Sequence, residues 1–239
     1  MAGPALAARS GHPAAVVAAA VKKAALRAGR QADDVRLVAV SKTRSSGEVR
    51  EAAGAGIADF GENFLQDALP KVRALDDLDL VWHFVGAVQS NKTRDIARYF
   101  HWVHTLERPR IAERLHRHRG DLPPLDVCIQ VNVDAEASKA GVDPQGIPEL
   151  VQTVRGLDRL RLRGLMAIPA PRDDPEEMRS SFSRMRELFE IHRSAGGDHW
   201  DTLSMGMTAD FEVAIAEGAT CVRIGTAIFG PRNARASGA

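Results

Sequence analysis

The chain alternates between two patterns from one end to the other. Eight apolar, strand-like runs lie at 35–42, 57–62, 81–88, 102–106, 126–133, 161–168, 200–204 and 221–225. Stretches with helical spacing separate them, at 46–55, 64–75, 91–99, 108–118, 145–156, 175–194 and 209–217. The helical reading is clearest over 175–194, where Met178, Phe182, Met185, Leu188, Phe189 and His192 recur every three or four residues, the repeat of one helix face. Strand, helix and strand in succession imply a parallel pair with a right-handed crossover. Eight such units in 239 residues predict an α/β fold, a single (β/α)8 TIM-type barrel. The domain is expected over 1–232, with an extra N-terminal helix over about 12–29 and a frayed, disordered tail at 233–239. An open doubly wound sheet is the alternative, and the lack of a G-x-G-x-x-G turn after the first strand weighs against it. Pro169 to Pro175 reads as a loop before a helix, with Pro175 suited to the first helical turn.

Charge excludes some partners. Lys and Arg total 32 against 31 for Asp and Glu, a net charge of +1, which builds no field for a nucleic acid or a membrane surface. Arg108, Arg110, Arg114, His116, Arg117, His118 and Arg119 cluster, but Glu107, Glu113 and Asp121 interrupt them, and a solvated helix face is expected. Cys128 and Cys221 sit in apolar runs and are expected to be buried free thiols, as suits a reducing cytoplasm. No Cys or His spacing has the form of a metal site. The Ala-rich stretch from Ala14 to Ala25 carries Lys22 and Lys23 and reads as an amphipathic helix rather than a signal peptide; no run is long enough to span a bilayer. A cytoplasmic monomer is the expectation.

The polar and Gly-rich positions fall just after strands. Lys42 follows the first, Gly61-Glu62-Asn63 the second, and Gln89-Ser90-Asn91 the third, with His83 further inside. Asn132 and Met166 lie near the ends of the fifth and sixth, Ser204 to Thr208 follow the seventh, and Arg223 to Thr226 close the eighth. In a parallel barrel these ends share one face, the one that carries chemistry. A lysine there either reaches out to water or is desolvated, which lowers its pKa and makes the amine a nucleophile for a carbonyl. Gly225-Thr226, with free backbone amides and a hydroxyl, suits a phosphate, although glycine for backbone freedom and threonine as a cap explain the same residues. Thr208 is expected to cap the helix that follows it. A carbonyl-reactive lysine facing an anion cradle describes a pyridoxal 5'-phosphate (PLP) site. Arg223 points the same way as Gly225 and either meets the pyridine nitrogen or pairs with a barrel carboxylate such as Glu62.

Several motifs carry a family resemblance: Val40-Ser41-Lys42-Thr43, Phe60-Gly61-Glu62-Asn63, Trp82 to Gly86 with Gln89 to Lys92, Gln130 to Val133 with Glu136 to Gly141, Gly164-Leu165-Met166, Leu203 to Phe211, and Val222 to Gly230. In this order, over about two hundred residues, they resemble the PLP homeostasis proteins of the YggS/PROSC type, which share the alanine racemase N-terminal barrel. The resemblance implies Lys42 as the Schiff-base lysine, Ser204, Gly225 and Thr226 at the phosphate, and Arg223 near the ring nitrogen. It implies Asn63, His83, Asn132 and Met166 around the ring. Ala87 is smaller than the pattern expects, which touches only rim contacts. It further implies holding and supplying intracellular PLP, with PLP-dependent apo-enzymes as acceptors and no robust turnover.

A racemase needs a second acid or base on the far face of the cofactor. In alanine racemases a tyrosine from a second, β-rich domain supplies it; here the chain ends soon after the eighth strand. Tyr99 lies before the fourth strand, at the other end of the barrel, and reads as a packing residue. A PLP carrier is therefore favoured. A weak racemase or lyase with Lys42 as its one base is the alternative, and a cofactor-free Schiff-base aldolase is a third reading, which predicts no visible chromophore. Lys139 and Lys92 near the same barrel end are either surface lysines or secondary holders of PLP.

Overall fold

The first strand, β1 (Arg36–Val40), pairs in parallel with β2 (Asp59–Glu62) on one side and with β8 (Cys221–Ile224) on the other, which closes the sheet. Between them β3 (Val81–Phe84), β4 (Trp102–Leu106), β5 (Leu125–Gln130), β6 (Leu160–Met166) and β7 (Thr202–Ser204) follow in sequence order, each parallel to its neighbours. The computed structural model describes residues 11–136, 139–170 and 174–231. The expected tail, the centre of the Pro169–Pro175 loop and part of the Glu136–Gly141 motif lie outside them. The eight-stranded (β/α)8 barrel expected from the alternation is the fold observed.

The helices are α1 (Pro13–Arg27), α2 (Ser46–Gly54), α3 (Leu65–Ala74), α4 (Thr93–Tyr99), α5 (Pro109–Arg119), α6 (Ile147–Arg155), α7 (Pro175–Ile191), α8 (Arg193–Gly196), α9 (Phe211–Ala216) and α10 (Thr226–Phe229). Their local causes are visible. α1 starts at Pro13, with the His12 ring accepting from the Ala14 amide. α2 carries a capping box, in which Ser45 Oγ accepts from the Glu48 amide and the Glu48 carboxylate accepts from the Ser45 amide. α1, the extra helix, buries Ala14, Val17, Val21, Ala24 and Ala25 and packs on α9 and α10.

Alternation along each strand separates two cores. Outward-facing Ala39, Phe60, Trp82, Phe84, Val103, Ile129, Leu203 and Val222 pack under the helices in the main hydrophobic cluster. The barrel interior is different. Its inward positions hold Trp102, Cys128 and Met166 beside fully buried His83, His104 and Ser204. β6 bulges at Gly164, which has φ 145°; a Cβ there would lie 2.1 Å from the Thr202 carbonyl oxygen.

Ion pairs plug the N-terminal mouth. Arg36 Nη1 meets Asp59 Oδ1 at 2.7 Å, and Arg163 meets Asp126 at 3.2 Å and Asp201 at 2.6 Å. The Arg36 and Arg163 guanidinium groups lie 5.1 and 4.6 Å from the centre of the Trp102 indole.

Both cysteines are buried and unbridged, and burial pushes both thiols above their ordinary pKa. The basic face of α5 departs from expectation. Arg119 is buried and donates to the carbonyls of Ala97, Phe100 and Pro123, so it ties α5 to the end of α4. Arg114 donates to the Ser90 carbonyl at 3.0 Å. Unfilled carbonyls at neighbouring element ends recruit these side chains from the solvent.

Candidate functional site

Lys42 stands two residues past the end of β1 rather than on it. Ser41 still donates its amide to the Gly61 carbonyl, but the chain then turns, with the Arg44 amide bonded to the Ser41 carbonyl at 3.0 Å and Thr43 at φ 66°. That left-handed residue breaks the extended run the sequence suggested, and Lys42 sits half-buried at the C-terminal mouth. The turn is anchored from behind. Ser41 Oγ donates to Glu62 Oε1 at 2.5 Å, and Lys71 Nζ donates to the Ser41 carbonyl at 2.8 Å and to Glu62. Burial pushes the Glu62 carboxyl above its ordinary pKa, against the pull of Lys71 and Ser41. Glu62 is thus the partner of Lys71, and the alternative pairing with Arg223 is not formed.

Arg223 is 5 % exposed. Its Nη1 donates to Ser204 Oγ at 2.7 Å and its Nη2 to the Ala167 carbonyl at 2.9 Å. Lys42, Arg223, Gly225 and Thr226 share the wall of one cavity of about 290 Å³, completed by Val40, Arg44, Met207, Thr208, Ala209, Phe229 and Gly230. Gly225 lets the end of β8 lie against β1, since a Cβ would stand 3.1 Å from the Val40 carbonyl oxygen. Thr226, exposed, opens α10; the Ile228 and Phe229 amides donate to the Gly225 carbonyl, which leaves those of Thr226 and Ala227 at the opening of the helix.

The remaining expected residues lie off that wall. Ser204 is fully buried and hydrogen-bonded to His104 and Arg223. His83 and Met166 are fully buried, His83 between Asp59 and His104, Met166 against Trp102 and Cys128. Asn132 closes its own loop, donating to the Glu136 carbonyl at 2.8 Å and accepting from the Glu136 amide. Asn63 is half-buried at the end of β2, and its Oδ1 is buried without a hydrogen-bond partner. Thr208 does not cap α9. Asp210 occupies the N-cap position and its Oδ1 accepts from the Met207 amide at 2.5 Å, which leaves Thr208 in the cavity-lining loop. Arg44 and Ala209 were not expected at the wall, and Met207 and Thr208, expected on this face, were given no part in the binding of a ligand. Adjacency to Lys42 and to Ser204 was the available signal.

Lys139 Nζ lies 3.6 Å from the Glu136 carboxylate and 3.4 Å from the Ile168 carbonyl; Lys92 is exposed. Tyr99 ends α4, and the guanidinium groups of Arg73 and Arg98 lie 5.5 and 5.6 Å from its ring centre. Among the described residues no helix is long and apolar enough to cross a membrane, and no three His, Cys, Asp or Glu side chains gather as metal ligands.

The donors suit a phosphorylated pyridine aldehyde. A lysine, an arginine and the opening of α10 line one cavity, and Asn63 Oδ1 is a buried acceptor without a partner at the same barrel end. Residues 15–233 match the family "Alanine racemase, N-terminal domain". A pyridoxal phosphate homeostasis protein of Pseudomonas aeruginosa is 54 % identical over 220 residues, covering 92 % of this chain and 94 % of the relative. One from Escherichia coli is 44 % identical over 233 residues, covering 93 % and 96 %. The chain belongs to the pyridoxal phosphate homeostasis protein family. Among solved structures, PipY of Synechococcus elongatus with PLP bound superposes with a TM-score of 0.76 at 37 % identity, covering 87 % of this chain and 98 % of PipY. An alanine racemase of Corynebacterium glutamicum, 18 % identical with a TM-score of 0.67, shares the barrel over 62 % of its own length.

Proposed function

We propose that this family member binds PLP in the Lys42 cavity and takes part in intracellular PLP homeostasis by holding the cofactor and releasing it to acceptors. The observation that carries this is the convergence of Lys42, Arg223, Gly225 and Thr226 on one cavity wall. A PLP-bound relative with the same barrel supports it. The cofactor, when bound, supplies an aldehyde for covalent attachment and a ring that stabilises negative charge. The chain's own residues do the rest. The Lys42 amine is the attachment point, and the Ser41–Glu62–Lys71 cluster holds its turn in place. Thr226 and the amides opening α10 receive the phosphate. Arg223 donates toward the ring, and Asn63 Oδ1 offers a buried acceptor without a partner at the same barrel end. PLP-dependent apo-enzymes are the acceptors in this reading, and the chain acts as a cytoplasmic monomer.

The test is incubation of the purified protein with PLP, borohydride reduction and peptide mapping. Lys42 is expected to carry the label, and Lys42→Ala to lose both label and visible absorbance. A colourless protein, or a label on another lysine, would overturn the reading. Exchange of the α-deuteron of added amino acids separates holding from turnover: exchange at enzyme-like rates, abolished in Lys42→Ala, would make the chain a racemase or lyase.

A further inference from the structure

We propose that Asp59, His83, His104 and Ser204 form a single one-way chain of hydrogen bonds along the barrel interior that holds Arg223 in place beneath the cavity, which makes all four positioning residues for the ring-binding side of the site. The inference rests on the PLP reading for its consequence, but its geometry stands without it.

The contacts are continuous. His83 Nε2 lies 2.8 Å from Asp59 Oδ1, His83 Nδ1 lies 2.9 Å from His104 Nε2, and His104 Nδ1 lies 2.8 Å from Ser204 Oγ. Ser204 Oγ in turn accepts from Arg223 Nη1 at 2.7 Å. Residues from β2, β3, β4, β7 and β8 take part, and the His104–Ser204 link crosses the barrel between strands that are not neighbours in the sheet. None of these nitrogen and oxygen atoms is among the buried side-chain atoms without a partner. A filling of Val, Ile and Leu is usual at these interior positions, and a polar file there is tolerated only when every member is satisfied.

The two ends determine the direction. Asp59, already bonded to Arg36 at 2.7 Å, can only accept as a carboxylate. Burial works against that charge, but the bonds from His83 and Arg36 outweigh it and hold the carboxyl below its ordinary pKa. Arg223 can only donate. His83 therefore carries its proton on Nε2 and accepts at Nδ1. His104 then donates from Nε2 and accepts at Nδ1, and the Ser204 hydroxyl proton points to His104. The serine lone pairs are left for Arg223. Each ring has a single proton in this arrangement, and burial pushes both histidines below their ordinary pKa, His104 furthest. Other charged groups face the file from the barrel wall, Arg36 from β1, Asp126 from β5 and Arg163 from β6. His83 is also fixed by stacking on Trp102, with ring centres 5.4 Å apart.

Direction matters because the opposite one fails at the Asp59 end. If His104 donated to Ser204, a neutral His83 would turn a bare Nε2 lone pair toward the Asp59 carboxylate, and the Ser204 proton would be left to the Cys221 sulfur, a weak acceptor. With the protons running from Ser204 down to Asp59, Arg223 is gripped by Ser204 Oγ and the Ala167 carbonyl and presents donors alone to the cavity. A ligand group meeting it must bring a lone pair.

Two measurements test this. The first uses the wild-type protein freed of PLP and reads the ring nitrogens of His83 and His104 by long-range proton–nitrogen correlation. Both rings are expected to be neutral with the proton on Nε2 at neutral pH. A cationic His83, or a His104 protonated on Nδ1, would overturn the chain's direction. The second compares Ser204→Ala and Ser204→Thr loaded with PLP. Removing one hydrogen bond to a charged group is expected to weaken PLP retention about tenfold or more and to shift the visible band, while Lys42 still takes the borohydride label and threonine restores both. An unchanged spectrum and affinity in Ser204→Ala would remove the positioning role. If wild-type protein took up no PLP, the functional reading would fail by itself, and the histidine measurement would still decide the geometry.

Discussion

His104 shows what a single residue does in this barrel and why sequence alone does not reveal it. It sits two positions after Trp102 on β4, so strand parity places it inside, but its partners Ser204 and His83 are 100 and 21 residues away in sequence. No local pattern announces bonds of that range. Lys42 and Gly225-Thr226 were legible because each lies within two residues of its strand's end and each has unusual chemistry for that place. The Glu62–Lys71 pair was not, because Lys71 looks like any surface lysine of a helix until the fold buries it to 5 % exposure. The buried histidines have a measurable consequence. Their folded pKa values lie below the unfolded value of about 6.5. As pH falls below that value the unfolded chain binds protons that the folded barrel refuses, so stability drops with decreasing pH and is unaffected by these groups above it. Each such proton contributes a slope of about 1.4 kcal/mol per pH unit until the folded pKa is reached. His101 and His192 shift the same way and add to the slope. Urea unfolding at about pH 7.5 and about pH 5.5 is expected to show the loss, and a smaller loss in His104→Gln. Asp59, whose folded pKa is depressed, acts in a separate window: its contribution is present above about pH 3.9 and disappears as pH falls through the lower folded value.

At the scale of elements the alternation of strand and helix was enough to order the barrel, because each unit is decided locally and the crossover rule does the rest. Boundaries slipped where a tertiary demand intervened. β1 stops at Val40 because Thr43 takes a left-handed conformation, and the helix after β7 starts at Phe211 because Asp210 reaches back to the Met207 amide. α1 looked like an addition outside the barrel, but it packs on α9 and on α10, the element whose opening residues, Gly225 and Thr226, line the cavity. Val21 is 2 % exposed on that contact face. Val21→Asp places a carboxylate in an apolar contact and is expected to cost about 3 kcal/mol or more. Because the damage falls next to Gly225 and Thr226, the proposed phosphate side of the cavity, PLP affinity should drop further than in Leu150→Ala, a core truncation on α6 of about 2–5 kcal/mol. Equilibrium denaturation and PLP titration of the two variants side by side check this; equal losses of affinity would detach α1 from the site.

For the molecule as a whole, a ligand held only by the folded barrel must stabilise it. At free PLP of about one hundred times its dissociation constant the gain is about 2.7 kcal/mol. For a chain of this size that corresponds to a rise in Tm of about 5–10 °C. Thermal unfolding with and without PLP measures it, and Lys42→Ala is expected to lose most of the rise. The two ends of the barrel set how exchange proceeds. At one end stand Lys42, Arg223 and the opening of α10; at the other, Arg36 and Arg163 clasp the Trp102 indole and lock onto Asp59, Asp126 and Asp201. Such a vessel has a floor. An incoming molecule cannot push out the resident from behind, so arrival and departure take turns at one doorway, and more free vitamer refills a vacated site sooner without hastening the departure before it.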